Sequence, residues 1–289
     1  MTVKVPPGSR RRREPGVARG WTSPLVVRAV TGVALAAIVV AVVATGQYGL
    51  WAMAVVLGGL SLWELRRLTA QIGYPAPTWL LFPLGAYLAF SGTLLQRVPL
   101  AAALGAVLLV GLPALIFQRP GGGFVSWALG VAGALYIGLP FNAFLVLYAD
   151  HPWPRGTLWV LTIIATVVVT DIAAYLGGRS FGRRPFFPHV SPNKTLEGAV
   201  AGVLLAVPVM LLAGWLGLGL PVWQAALLGL LVGLSAELGD LVESQLKRLA
   251  GVKDSSHLIP GHGGVLDRID SVLLPPLVVG LCLALFHAL

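Results

Sequence analysis

The chain is 289 residues long, 57% hydrophobic and only 11% charged, and its 20 Lys and Arg against 11 Asp and Glu give a formal net charge of +9. A soluble globular domain carries about a quarter charged residues, and a mean hydropathy of +0.85 excludes that class here. The single cysteine, Cys282, excludes an intrachain disulfide and a thiolate metal cluster.

In chain order, the first 24 residues are polar and hold Arg10 to Arg13 in a row plus Arg19. They read as a disordered basic cytoplasmic tail resting on anionic lipid rather than as a nucleic-acid-binding arm. Apolar runs then cover 25–45, 48–63, 79–96, 99–117 and 124–148, within a scaffold part spanning 25–150. A second part, 151–289, holds the runs 157–178, 197–216, 221–243 and 271–288. About 20 apolar residues cross a hydrocarbon core as a helix, and lipid-exposed backbone must satisfy its own hydrogen bonds. The expectation is an all-α, polytopic integral membrane protein with about nine transmembrane helices. Weak alternation argues against a β-barrel. The run 48–63 is short and is expected to sit partly in the interface. The first run is too long for a signal-peptide core, and no small-residue cleavage site follows it.

Charge orients this bundle. With the N-terminus in the cytoplasm and nine crossings, every Lys and Arg except Arg97 and Arg155 falls on the inner side, as the positive-inside rule requires. The net positive charge then needs no nucleic acid. Among the acids, only Glu14, Glu64 and Asp150 lie outside 171–270. The others gather at the inner ends of the last four runs, so the active site is expected on the cytoplasmic face of an inner membrane.

Four constellations stand out. Asp171 lies within an apolar run, where an acid costs about 2.5–3.5 kcal/mol at a helix centre. Tyr175 and Arg179 follow it on the same helix face, which suits either a functional site or a polar packing seam. Glu237, Asp240 and Glu243 recur every third residue, so they share one side of a helix. Three such acids repel unless a divalent ion, or Lys247 and Arg248, stands among them. Ser191-Pro-Asn193-Lys194-Thr195-Leu-Glu197 opens the next helix. Ser191 or Thr195 suits a cap, and free backbone N–H groups beside Lys194 suit a phosphate; both readings stay open. No G-x-x-x-x-G-K-[ST] loop is present.

The densest constellation is 244–270. It joins two apolar runs yet holds Lys247, Arg248, Lys253, Asp254, His257, His262, Asp267, Arg268 and Asp270. Pro260-Gly261-His262-Gly263-Gly264 breaks any helix, and its glycines allow close backbone approach to a ligand. The basic residues suit phosphates, and Asp267 with Asp270 suits a hard ion such as Mg²⁺.

Residues 244–270 resemble the signature of phosphatidate cytidylyltransferases (CDP-diacylglycerol synthases): S-x-apolar-K-R-x4-K-D, a spacer, then H-G-G-apolar-x-D-R-apolar-D. Ser244, Lys247, Arg248, Lys253, Asp254, His262, Gly263, Gly264, Asp267, Arg268 and Asp270 all stand in register. A second block is also similar: Asp171-x-x-Ala-Tyr175-x-x-Gly-Arg179-x-Phe-Gly182, then Ser191-Pro-x-Lys194-Thr195-x-Glu197-Gly198. The resemblance covers 171–270; the first 150 residues match only as apolar helices.

The resemblance implies Mg²⁺-dependent formation of CDP-diacylglycerol and diphosphate from CTP and phosphatidate, with Asp240 and Asp267 at the metal centre and room for a second metal ion. On that reading Lys194, Lys247, Arg248, Lys253 and Arg268 meet phosphate groups. Asp171, Asp254 and Asp270 are auxiliary acids, and His262 joins the catalytic set. Substrate contacts are expected from Arg179, Ser191, Asn193, Lys194, Thr195, Gly263 and Gly264. Expected partners are CTP, phosphatidate and membrane lipids, without nucleic acid; a homodimer is left open. The rivals are a CTP-dependent polyprenol kinase and an anion transporter. A CDP-alcohol phosphotransferase needs D-G-x-x-A-R, and this chain contains no Asp-Gly.

Overall fold

The computed structural model describes residues 24–117, 122–151, 153–259, 261 and 263–288. The basic tail before Pro24, Arg119 and His262 lie outside the described residues.

The described residues form nine α-helices: α1 (Pro24–Ala44), α2 (Gln47–Gln71), α3 (Thr78–Phe90), α4 (Leu100–Ala114), α5 (Gly123–Ala149), α6 (Arg155–Phe181), α7 (Leu196–Ala213), α8 (Val222–Leu249) and α9 (Leu266–Ala288). Among the described residues the only β-type pairing is two isolated bridges. The all-α expectation therefore stands, while the count of about nine spans is not confirmed. Among the described residues, six helical segments are long and apolar enough to cross a membrane: Gln47–Gln71, Gly123–Ala149, Arg155–Phe181, Leu196–Leu218, Val222–Leu249 and Leu266–Phe286. Gly32–Ala44 of α1, Thr78–Phe90 and Leu100–Ala114 are shorter apolar helices. At 13 residues, α3 reaches roughly 20 Å, less than a hydrocarbon core.

Three helix ends also move. The short run 48–63 becomes a helix of 25 residues that continues through Glu64, Arg66 and Arg67. α8 runs on to Leu249 and α9 begins at Leu266, so Lys247, Arg248, Asp267, Arg268 and Asp270 are helical. The connection is thus 250–265, shorter than the loop expected over 244–270. Apolar runs mark only the part of a helix that needs hydrocarbon or a core; backbone bonding carries each helix past that part. Gly251 ends α8 in the left-handed region, with Val252 N–H donating to Lys247 O and Gly251 N–H to Arg248 O.

α6, α7, α8 and α9 pack consecutively, α2, α3 and α5 form a second group, and α2 and α5 lie against α9. One buried cluster joins both groups, from Leu81, Leu88 and Ile137 through Trp159 and Ile163 to Leu228 and Leu266. Small residues let the helices of the last group approach closely. At the α8–α9 crossing a Cβ on Gly239 would lie 2.4 Å from Asp270 O, which brings the backbone beside Asp240 against the start of α9.

Candidate active site

Alternation of direction brings the C-terminal ends of α6 and α8, the N-terminal ends of α7 and α9, and the C-terminal half of α2 to one end of the bundle. The charged residues meet there in two lysine-centred knots.

The first knot is built on the segment between α6 and α7. Pro185 and Thr195 pair across it, Phe186 N–H donates to Lys194 O at 2.9 Å, and Leu196 N–H donates to Arg184 O at 2.9 Å. Glu197 Oε2 accepts from the backbone N–H groups of Arg183 and Arg184 at 3.0 and 3.1 Å. Thr195 caps α7, its hydroxyl accepting from Gly198 N–H at 3.2 Å. From α8, Arg248 Nε donates to Val190 O at 3.1 Å. The segment so held places Lys194 Nζ 2.6 Å from Glu237 Oε2 and 2.8 Å from Asp240 Oδ2. Ser244, one turn on, donates to Asp240 Oδ1 at 3.2 Å. Burial works against the charge of Lys194, but Asp240 and Glu237 outweigh it and raise the ammonium pKa above the ordinary lysine value. The cation relieving the α8 acids is therefore Lys194, 43 positions before Glu237, and Lys247 relieves only Glu243.

The second knot joins α8 to α9. Lys247 pairs with Glu243 on its own helix and sits 2.6 Å from Asp267 Oδ1. Asp267 Oδ2 accepts from Ser255 N–H at 2.8 Å, Ser255 Oγ–H at 2.8 Å and Gly264 N–H at 2.7 Å. Both oxygens of Asp267 are thus engaged by protein donors. Gly264 lies close against its own protein: a Cβ there would lie 2.1 Å from Ser255 Oγ and 2.5 Å from Glu64 Oε1.

The remaining expected residues surround these knots. Asp270 is buried and accepts from Ser271 N–H at 2.7 Å. Asp171 is exposed on α6, and Arg179 meets Tyr175 Oη only at 3.5 Å. Asn193, Lys253 and Arg268 are exposed, while Ser191, Asp254 and Gly263 are half-buried. Among the described residues Arg179, Lys253 and Arg268 make no ion pair, and the exposed Arg183, Arg184 and Arg248 of the first knot make none either.

Two kinds of residue escaped sequence reasoning. Glu64 of α2 is fully buried beneath the 255–266 segment and bonds to it. Tyr136 of α5 presents a buried hydroxyl with no hydrogen-bond partner, within electrostatic reach of Asp270, Glu243 and Asp240. An acid in an apolar helix signals function, but Glu64 stood at the end of its run, where a solvated helix end explains it equally well.

The fit to a divalent cation follows from the donor set. Asp171, Glu237, Asp240, Glu243, Asp267 and Asp270 supply six carboxylates, against Lys194 and Lys247 in the ion pairs. Glu237 Oε1 is buried without a hydrogen-bond partner. Among the described residues no three acids, histidines or cysteines form a metal cage by themselves. Mg²⁺ seldom uses such a cage; it takes one or two carboxylates with substrate phosphates. The carboxylate oxygens of the open knot, where Asp240 has only Ser244 besides its lysine, are donors of the kind that mode uses.

Comparison with known proteins gives a consistent picture. The model of the cytidylyltransferase family matches residues 26–286. The chain is 38% identical over 223 residues to the uncharacterized protein YnbB of Escherichia coli, covering 74% of this chain and 73% of that one. It is 44% identical over 139 residues to the phosphatidate cytidylyltransferase of Helicobacter pylori, 48% of this chain and 50% of that protein. Against the phosphatidate cytidylyltransferase of Synechocystis the identity is 45% over 154 residues, 52% of each chain. The chain thus spans about half the length of these two named enzymes.

Proposed function

The chain belongs to the cytidylyltransferase family, and on that premise we propose that it transfers CMP from CTP to phosphatidate. A phosphatidate oxygen attacks the α-phosphorus of CTP, a new P–O–P bond forms, the bond to the β-phosphate breaks, and diphosphate leaves. Phosphatidate is already an anion, so the step needs no strong general base. Its barrier is the repulsion between two phosphorylated anions, and relief of that repulsion is what the site must supply.

The observation that carries this reading is the pairing of two lysine–carboxylate knots at one end of an apolar bundle, with Arg179, Lys253 and Arg268 outward beside them. Asp240 and Asp267 are the proposed carboxylates for Mg²⁺, which when bound would neutralise phosphate charge and polarise the reacting phosphate. Lys194, Lys247, Arg248, Lys253 and Arg268 orient phosphate groups, and Asp171, Asp254 and Asp270 support them. The bundle spans an inner membrane, with all nine helices embedded, the N-terminus in the cytoplasm and the charged end facing CTP. Phosphatidate enters sideways between helices.

The test is conversion of labelled CTP to a lipid product by the purified full chain with phosphatidate and Mg²⁺. The expected result is CDP-diacylglycerol formation that EDTA abolishes and that ATP does not support. Turnover of a polyprenol with CTP, and none of phosphatidate, would reassign the chain to a lipid kinase.

A further inference from the structure

We propose that Glu64 is a positioning residue: from α2 it holds the 255–266 segment and, through Ser255, sets the side chain of Asp267. The part of this role that concerns turnover rests on the cytidylyltransferase reading; the holding of the segment does not.

Glu64 has no exposed surface and lies between the buried Leu62 and Leu65. A carboxylate taken out of water is costly unless protein donors replace the water. Four donors do so here, all from residues 191 to 202 positions away. Ser256 Oγ donates to Oε1 at 2.6 Å and Val265 N–H to Oε1 at 2.9 Å. Ser255 Oγ approaches Oε2 at 3.1 Å, and Leu266 N–H donates to Oε2 at 2.6 Å. The two amides lie at the start of α9, where backbone N–H groups have no partner within the helix. The two hydroxyls come from the other end of the connection. One carboxylate therefore ties both ends of the 255–266 segment to a helix of the other packing group.

Capping α9 would by itself be a purely structural role. Ser255 is what extends it to the site. Its hydroxyl lies 3.1 Å from Glu64 Oε2 and 2.8 Å from Asp267 Oδ2, and a hydroxyl has one proton to share between them. The other two donors to Asp267 Oδ2, Ser255 N–H and Gly264 N–H, belong to the same held segment. The chain of contacts runs from Glu64 through Ser255 to Asp267 and on to Lys247, with no gap longer than 3.1 Å. Gly264 lies against the Glu64 carboxylate too tightly for a Cβ.

The experiment uses the full chain in detergent with Glu64→Gln, which keeps the shape but turns one acceptor into a donor facing donors, and with Ser256→Ala, which removes one hydroxyl. Amide hydrogen exchange is read across the whole chain, and kcat and KM are read for CTP and phosphatidate. In Glu64→Gln the 255–266 amides should exchange about tenfold faster or more, while α6 and α7 keep their protection. Its kcat should fall about ten- to a hundredfold with KM for CTP changed less than about threefold, the split expected when preorganisation rather than binding is lost. Ser256→Ala should shift both readouts in the same direction by less. Unchanged exchange at 255–266 in Glu64→Gln overturns the proposal. So does faster local exchange with an unaltered kcat, which would reduce Glu64 to a cap. If Glu64→Gln cannot be recovered folded, Ser256→Ala decides, and unchanged exchange and kcat there overturn the proposal. Exchange needs no substrate, so a wild type inactive on phosphatidate would sink the functional reading while the exchange result still stood.

Discussion

The two lysine knots use the same chemistry in opposite settings. Around Lys194 the side chains of the lysine and Asp240 are 22% and 28% exposed, and only Glu237 is buried. Around Lys247 all three partners are largely enclosed, Glu243 completely. Asp267 in the closed knot has three further donors, whereas Asp240 in the open knot has Ser244 alone besides its lysine. A half-exposed pair exchanges its partners for a ligand at smaller cost than a buried one. The open knot is thus the adaptable part of the site and the closed knot the preorganised part.

Substitutions at the two lysines break this comparison most directly. Lys247→Met leaves Glu243 buried without its cation, and loss of one partner of a buried pair costs about 3–5 kcal/mol. A large fall in the thermal midpoint of the purified protein is expected; an unchanged midpoint would mean the knot is not closed in solution. Next come the acids. Asp240→Asn and Asp267→Asn should each lower kcat on the order of 10² or more, as when charge neutralisation in phosphoryl transfer is lost. The double variant should lose little beyond either single one. Only Asp267→Asn should also reduce stability, by about 1–3 kcal/mol, because its donors lose a charged acceptor. Equal stability for both variants would erase the distinction between the knots.

Lys194→Met should act mainly on kinetics, with about a tenfold loss in kcat/KM, about 1.4 kcal/mol, and a smaller fall in midpoint than Lys247→Met, because only Glu237 is left buried without its cation. The raised pKa of Lys194 gives a pH signature. Its stabilising contribution is present in full below the ordinary lysine value and is lost as pH rises through the higher, folded value. Neutral pH should therefore leave the open knot intact. The smallest effect is expected at the cap. Thr195→Ala removes the bond to Gly198 N–H and should cost about 1 kcal/mol of stability, with a modest rise in KM as the Lys194 segment loosens.

Much of this organisation is legible in the residues themselves. The threefold spacing of Glu237, Asp240 and Glu243 places them on one side of α8 without further information, and a cap at Ser191 or Thr195 is legible by type, the structure choosing Thr195. Span ends are less legible: hydropathy stops at Trp63 while the helix continues to Gln71, because backbone hydrogen bonds do not depend on side-chain polarity. That difference hid Glu64, which reads as a solvated helix end until α9 is packed against it.

Local chemistry along the chain therefore determined the all-helical class, the gathering of acids into 171–270 and the acidic face of α8. The backbone periodicity and the cost of charge in apolar surroundings act over a few residues and are written in the sequence. The choice of partners was left to tertiary structure. Lys194 reaches Glu237 across 43 positions and Glu64 reaches Leu266 across 202. Hydrogen bonds and ion pairs act over about 3 Å, so only the packing of α2, α7, α8 and α9 decides which of several equivalent charges meet.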